Sequence, residues 1–290
     1  MVSKHADLGG PVHYVDFGGS GPPLVCVHGL SGSALTWMAV GPALAERHRV
    51  LALDLRGFGR TPLGPGTRLR DNRCLLDRFL REVAGGPVVL VGNSMGGLLA
   101  VQQAAEAPAT VSRLVLVDPA LPWHWHPPFD LSLWAFFGSL LPPVAGEALL
   151  AWSGRRLGAE RVVSGVLEAC CADAGRVPAD MVRALVDQEV WRLASPRSYR
   201  ALAQASRSLL WALGRRGLGR AYGLVSAPVL VLHGERDRLV PADLSRAIAR
   251  RFAWRVEVLP DAGHVPMMEV PYDFLSVTLG WLESNRPVAA

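Results

Sequence analysis

The residues most able to do chemistry begin with Ser94, in the segment Val88-Val89-Leu90-Val91-Gly92-Asn93-Ser94-Met95-Gly96-Gly97. An apolar run of this kind reads as a buried strand. It breaks into Gly-x-Ser-x-Gly, and Leu98 to Ala107 continues in helix-forming residues. A serine on a sharp strand-to-helix turn is lifted clear of the sheet. Gly92 and Gly96 let strand and helix approach where a Cβ would clash. A serine hydroxyl is a weak nucleophile at neutral pH. It needs a base within hydrogen-bond reach, and the base needs a carboxylate to orient it.

Both are expected at the ends of late strands. The best-placed acid is Asp237, in His233-Gly234-Glu235-Arg236-Asp237-Arg238-Leu239-Val240-Pro241, and the best-placed base is His264, in Asp261-Ala262-Gly263-His264. Asp118 also ends a strand and competes for the acid role, with helix capping or a turn as its other reading. Glu235 reads as solvent-facing and His233 as structural. A tetrahedral intermediate also needs donors for its oxyanion. The N–H after the nucleophile, from Met95, is one. The loop His28-Gly29-Leu30-Ser31-Gly32 suits the other, and Leu30 is the expected donor. His28 reads as holding that loop rather than moving protons.

These groups must be carried by alternating elements. Strands are expected at Pro11 to Phe17, Leu24 to Val27, Val50 to Leu53, Leu114 to Val117, Val229 to Leu232 and Val256 to Leu259. Helical patterns fall at Ala34 to Glu46, Asp71 to Ala84, Leu244 to Phe252 and Tyr272 to Glu283. That rhythm implies an α/β fold, a mostly parallel sheet covered on both faces. From Asp118-Pro119 to about Val225 the pattern is helical, broken by Pro and Gly, with no clear buried strand. Residues 119–225 therefore read as an insertion on a core formed by 1–118 and 226–290.

The chain has 290 residues, half of them apolar, and a formal net charge of +5. Arginine supplies nearly all the positive charge, since Lys4 is the only lysine. The arginines are scattered among acids and form no basic stripe with stacking aromatics, which argues against nucleic-acid binding. Arg155-Arg156 and Arg215-Arg216 read as solvated. Cys26, Cys74, Cys170 and Cys171 show neither metal-ligand nor disulfide spacing, and a reducing cytoplasm fits them best. Met1 to Gly10 lacks the apolar core of a signal peptide. The uncharged apolar run Leu131 to Gly146 is too short to span a membrane and contains Pro142-Pro143.

Taken together, His28-Gly29, Asp54-Leu55-Arg56-Gly57-Phe58-Gly59, Gly92-Asn93-Ser94-Met95-Gly96-Gly97, Gly234 to Pro241 and Gly263-His264 resemble the α/β-hydrolase superfamily. The chain order serine, acid, histidine matches that family's triad. The resemblance implies an eight-stranded sheet, a helical cap between strands six and seven, and structural roles for Asp54 and Arg56. Ser94 separates the chain from relatives that carry Asp at the elbow, the epoxide hydrolases and haloalkane dehalogenases. The elbow looks like that of carbon–carbon bond hydrolases acting on meta-cleavage products. The chain lacks their Gly-Pro-Gly oxyanion run, however, and has Val265 where they usually carry Trp. His264-Val265-Pro266-Met267-Met268-Glu269 looks more like carboxylesterases and monoacyl lipases.

The expected activity is hydrolysis of a small or medium apolar carboxylic ester through an acyl-enzyme, with no metal or organic cofactor. Carbon–carbon, lactone or thioester hydrolysis, acyl transfer and a non-catalytic ligand receptor remain alternatives. Trp37, Trp123, Trp125, Trp134, Phe137 and Val265 are the candidate pocket residues. Phe129 and Phe136 belong to the same aromatic cluster, and His124 and His126 stand beside it. Packing of the cap on the core is the competing reading for these aromatics. The expected partner is a small-molecule acyl substrate, and the expected state a monomer or homodimer with no integral membrane span.

Overall fold

The computed structural model describes residues 1–122, 142, 144–215 and 217–285. Eight strands form one sheet: β1 (Val2–Asp7), β2 (Pro11–Gly18), β3 (Pro23–Val27), β4 (Arg49–Leu53), β5 (Val88–Asn93), β6 (Val111–Val117), β7 (Val229–Gly234) and β8 (Arg255–Leu259). Their spatial order is β1-β2-β4-β3-β5-β6-β7-β8. β2 runs antiparallel to both β1 and β4, and every other pairing is parallel. β1 lies outside the expected strands. Its six residues are exposed or nearly so, and no apolar alternation marks them.

The central strands are apolar throughout because helices cover both faces. Along β5 the side chains alternate: Val88 and Leu90 join one apolar cluster, Val89 and Val91 the other. The first cluster takes in α2 (Leu69–Phe79), α3 (Met95–Glu106) and α9 (Ala242–Phe252). The second takes in α1 (Gly41–Ala45) and α11 (Pro271–Ser284). Each fully buried Val or Leu in these layers contributes about 1.5–3 kcal/mol.

Between β6 and β7 the described residues form only helices: α4 (Ala145–Leu157), α5 (Ala159–Cys170), α6 (Ala179–Leu193), α7 (Pro196–Leu213) and α8 (Leu218–Gly223). This insertion leaves the sheet at the C-terminal end of β6 and returns at β7. It therefore stands over the strand ends where α/β sheets place their ligands. The remaining helix, α10 (Pro266–Glu269), is one turn long and follows β8. Among the described residues no helix is long and apolar enough to cross a membrane. All four cysteines are free.

Candidate active site

Ser94 sits between β5 and α3 with φ 53° and ψ −117°. A non-glycine residue in that region stores about 1–3 kcal/mol of strain and persists only where its surroundings over-determine it. They do so here. The Ser94 amide donates to Val117 O at 2.9 Å, and the Ser94 carbonyl accepts from Ala120 N at 3.0 Å and Leu98 N at 3.1 Å. The flanking glycines are required sterically. A Cβ on Gly92 would stand 2.4 Å from Gly96 O, and one on Gly96 would stand 2.3 Å from Val27 O. From Val88 to Val101, Ser94 alone is not fully buried.

His264 and Asp237 meet from two neighbouring strand ends. His264 Nδ1 lies 2.7 Å from Asp237 Oδ2, and the two side chains are 6% and 0% exposed. The other oxygen, Asp237 Oδ1, accepts the amides of Leu239 at 2.7 Å and Val240 at 3.1 Å. Burial works against the Asp237 charge. His264, and the hydrogen bonds from His233 and His264, outweigh it and hold the carboxyl well below the usual carboxylate range. The residue before Ser94 ties this pair to the elbow: Asn93 Nδ2 donates to His264 O at 3.0 Å and to Val117 O at 3.1 Å.

The loop after β3 lies against the elbow from the other side. A Cβ on Gly29 would be 3.1 Å from Ser94 Cβ and 2.9 Å from Asn93 Oδ1. His28 fixes this loop. Its Nδ1 contacts Gly29 O at 2.7 Å and its Nε2 accepts from Leu55 N at 3.1 Å, a pattern that fits a neutral ring protonated on Nδ1. Burial lowers its pKa, which favours the same neutral form. Asp54 braces the loop's continuation through Ala34 N at 2.6 Å, Arg60 N at 2.8 Å and His13 Nδ1 at 2.6 Å. Arg56 reaches back to Leu8 O.

A cleft of about 100 Å³ opens beside the loop. It is lined by Leu30, Ser31, Val265 and Met268 and, from the insertion, by the apolar Val163 and Leu167 of α5 and Leu185 of α6. Its polar end is an ion pair between Glu189 and Arg192, and Glu189 is only 3% exposed. Arg192 also donates to Ser31 Oγ at 2.7 Å, so the insertion holds the loop directly.

Of the expected pocket residues, Val265 lines this cleft. Trp37 does not: it is fully buried against Phe274 in the layer beneath, with the ring centroids 6.4 Å apart. An aromatic in a short amphipathic segment suits a core as well as a pocket, and here the core claims it. Trp123, Trp125, Trp134 and Phe137 lie outside the described residues, as do Phe129, Phe136, His124 and His126. Asn93, Arg192 and Glu269 escape sequence reasoning because each has a partner distant in the chain: His264, Ser31, and the Ala172 and Asp173 amides. Glu269 accepts the amides of Gly263, Ala172 and Asp173 at 2.8, 3.1 and 2.7 Å.

Known proteins align over nearly the whole molecule. The chain is 31% identical over 276 residues to the dihydrolipoyllysine-residue acetyltransferase component of the acetoin cleaving system of Cupriavidus necator. That match covers 93% of this chain but only 66% of the longer relative. It is 28% identical to 2-(acetamidomethylene)succinate hydrolase of Mesorhizobium japonicum, covering 91% and 89% of the two chains. Among solved structures, a bacterial membrane phospholipase A superposes with a TM-score of 0.78 at 25% identity, covering 99% of this chain and 87% of the other. Residues 22–271 match the family described as the alpha/beta hydrolase fold. With its eight-stranded sheet and helical insertion, the chain belongs to that family.

Proposed function

We propose that the chain is a serine hydrolase that cleaves a carboxylic ester with a small or medium apolar acyl group. The observation that carries this reading is the strained, partly exposed Ser94, which Asn93 links to a His264–Asp237 pair 2.7 Å apart. In the first half of the cycle His264 takes the hydroxyl proton as Ser94 Oγ bonds to the ester carbonyl carbon. The Leu30 and Met95 amides hold the oxyanion. The carbon–oxygen bond to the alcohol then breaks, and His264 returns the proton to the departing alkoxide. In the second half His264 takes a proton from water, the resulting hydroxide attacks the acyl-enzyme, and the acid leaves as Ser94 is reprotonated. Asp237 holds the imidazole with its proton on Nδ1 and stabilises the imidazolium.

Residues 119–225 act as the cap, and the cleft between α5, α6 and the Leu30 loop receives the acyl group. Its small apolar volume favours short chains. A p-nitrophenyl ester series from acetate to palmitate tests this. The reading expects turnover that is best at the short end and falls by roughly five to six orders of magnitude in Ser94→Ala. Unchanged turnover in that variant would remove Ser94 from the mechanism. Labelling of Ser94 by a fluorophosphonate without turnover of any ester would move the substrate to another acyl or carbon–carbon class.

A further inference from the structure

Behind His264 the acid is not one carboxylate but two. Asp118, at the end of β6, and Asp237, after β7, each place an oxygen in a cluster with a His264 ring nitrogen, and these atoms all lie within 4.8 Å of one another. Both acid side chains are wholly buried. Asp118 Oδ1 accepts from Gly234 N at 2.8 Å, while Asp118 Oδ2 has no hydrogen-bond partner among the described residues. Asp118 is also held at φ 43°, a conformation a non-glycine residue adopts only under constraint.

We propose that Asp118 is a positioning residue that carries a proton in the resting enzyme and shares it with Asp237, so that His264 is backed by a carboxylic acid–carboxylate pair. The proposal rests on the Ser94–His264–Asp237 reading above. Two ionised carboxylates side by side in a water-free site repel each other and lack the solvation that each charge needs. One proton on the orphaned Oδ2 removes both costs and makes that atom a donor to Asp237. A hydrogen bond of that kind withdraws charge from Asp237 and so limits how strongly it stabilises the His264 imidazolium.

The remaining groups facing the pair leave the proton on Asp118. His233, on β7, lies 3.5 Å from Asp118 and 3.3 Å from Asp237. Its Nε2 also contacts Val240 O at 2.8 Å and its Nδ1 contacts Ser245 Oγ at 2.8 Å. Burial works against a charge on this ring, and the Asp118 charge together with the Asp237 and Val240 hydrogen bonds outweighs it and raises the His233 pKa. Once Asp118 is protonated the largest of those charges is gone. A neutral ring protonated on Nε2 then satisfies both the Val240 and the Ser245 contacts, with Ser245 donating. From the insertion, Cys170 approaches, and burial together with the Asp237 and Asp118 charges pushes its thiol up to about 12, so it brings no charge. Burial likewise raises Asp118 well above the usual carboxylate range, opposed by His233 and reinforced by Asp237.

The test uses Asp118→Asn and Asp118→Leu in the full chain. Infrared spectra of wild type at neutral pH contain the carbonyl stretch of a protonated carboxylic acid, and Asp118→Asn loses it. The same comparison in the Ser94→Ala background gives the same result, so it stands even if the serine reading fails. In the pH profile of kcat/KM, Asp118→Asn keeps its acid limb at the wild-type position, because a neutral donor replaces a neutral donor. Asp118→Leu strips the donor from Asp237 and moves the acid limb upward by roughly one pH unit. A missing protonated-acid band overturns the proposal. So does an acid limb that moves downward in Asp118→Asn, as loss of a negative charge beside His264 demands. If Asp118→Leu does not fold, the band and the Asn profile still decide.

Discussion

Glu269 Oε2 accepts the amide of Gly263 at 2.8 Å, so a buried carboxylate is fastened to the residue immediately before His264. The same side chain holds the Ala172 and Asp173 amides of the insertion. The His264 amide itself donates to Cys170 O. Insertion and histidine loop are therefore one hydrogen-bonded unit. In Glu269→Gln an NH₂ group must face an N–H donor, at a cost of about 2 kcal/mol. Thermal unfolding should shift down by about 4–8 °C, and kcat should fall more than KM changes. An unchanged melting temperature would refute the unit.

Arg192 joins Glu189 to Ser31 across the cleft. Arg192→Ala strands a buried carboxylate, at a cost of about 3–5 kcal/mol. Adding Glu189→Gln should recover most of that stability in a denaturant titration. Activity should stay reduced in the double variant, because the loop carrying Leu30 is no longer tied to the insertion. Full recovery of both would leave the ion pair with a stability role alone.

Two glycine substitutions should act in opposite directions. A Cβ at Gly96 meets the backbone carbonyls of Val27 and His28 at 2.3 and 2.6 Å, so Gly96→Ala should fail to yield soluble folded protein. A Cβ at Gly280, inside α11, meets nothing within 4 Å. Gly280→Ala should stabilise the protein by about 0.5–1 kcal/mol, measured by denaturant unfolding.

The two acids should leave opposite signatures in stability against pH. The Asp237 pKa is depressed in the folded protein. Its contribution is present above the unfolded value near ~4 and is lost as pH falls through the folded value. The Asp118 pKa is raised. The native state then holds the extra proton, and stability falls as pH rises from the unfolded value through the folded one. Between pH ~4 and neutrality, wild type should lose stability relative to Asp118→Asn. Parallel stability curves for the two proteins would contradict this assignment.

Much of the candidate site was readable because each piece is local. The elbow needs Gly92, Ser94 and Gly96 within five positions, and Asp237 and His264 each follow a recognisable apolar strand. The seven strands beyond β1 were marked by apolar runs or, for β2, by apolar–polar alternation, apart from shifts of one to three residues at their ends. β1 was not, because an edge strand paired on one side needs no buried face. The supporting contacts are long-range. Asn93 is 171 positions from His264, Arg192 is 161 from Ser31, and Asp118 is 116 from Gly234. No local pattern announces such pairs. Trp37 shows the converse limit, since composition alone does not say on which side of a helix the core lies.

The central claim is that Ser94 becomes covalently acylated. Intact-mass and peptide mapping of the protein quenched during turnover of a slow ester, alongside fluorophosphonate treatment, measures this directly. The account predicts one added acyl or phosphonyl group per chain, mapped to Ser94 and absent from Ser94→Ala, with Asp237→Asn slowing its formation. Adduct on any other residue, or ester turnover with Ser94 unmodified, would contradict it.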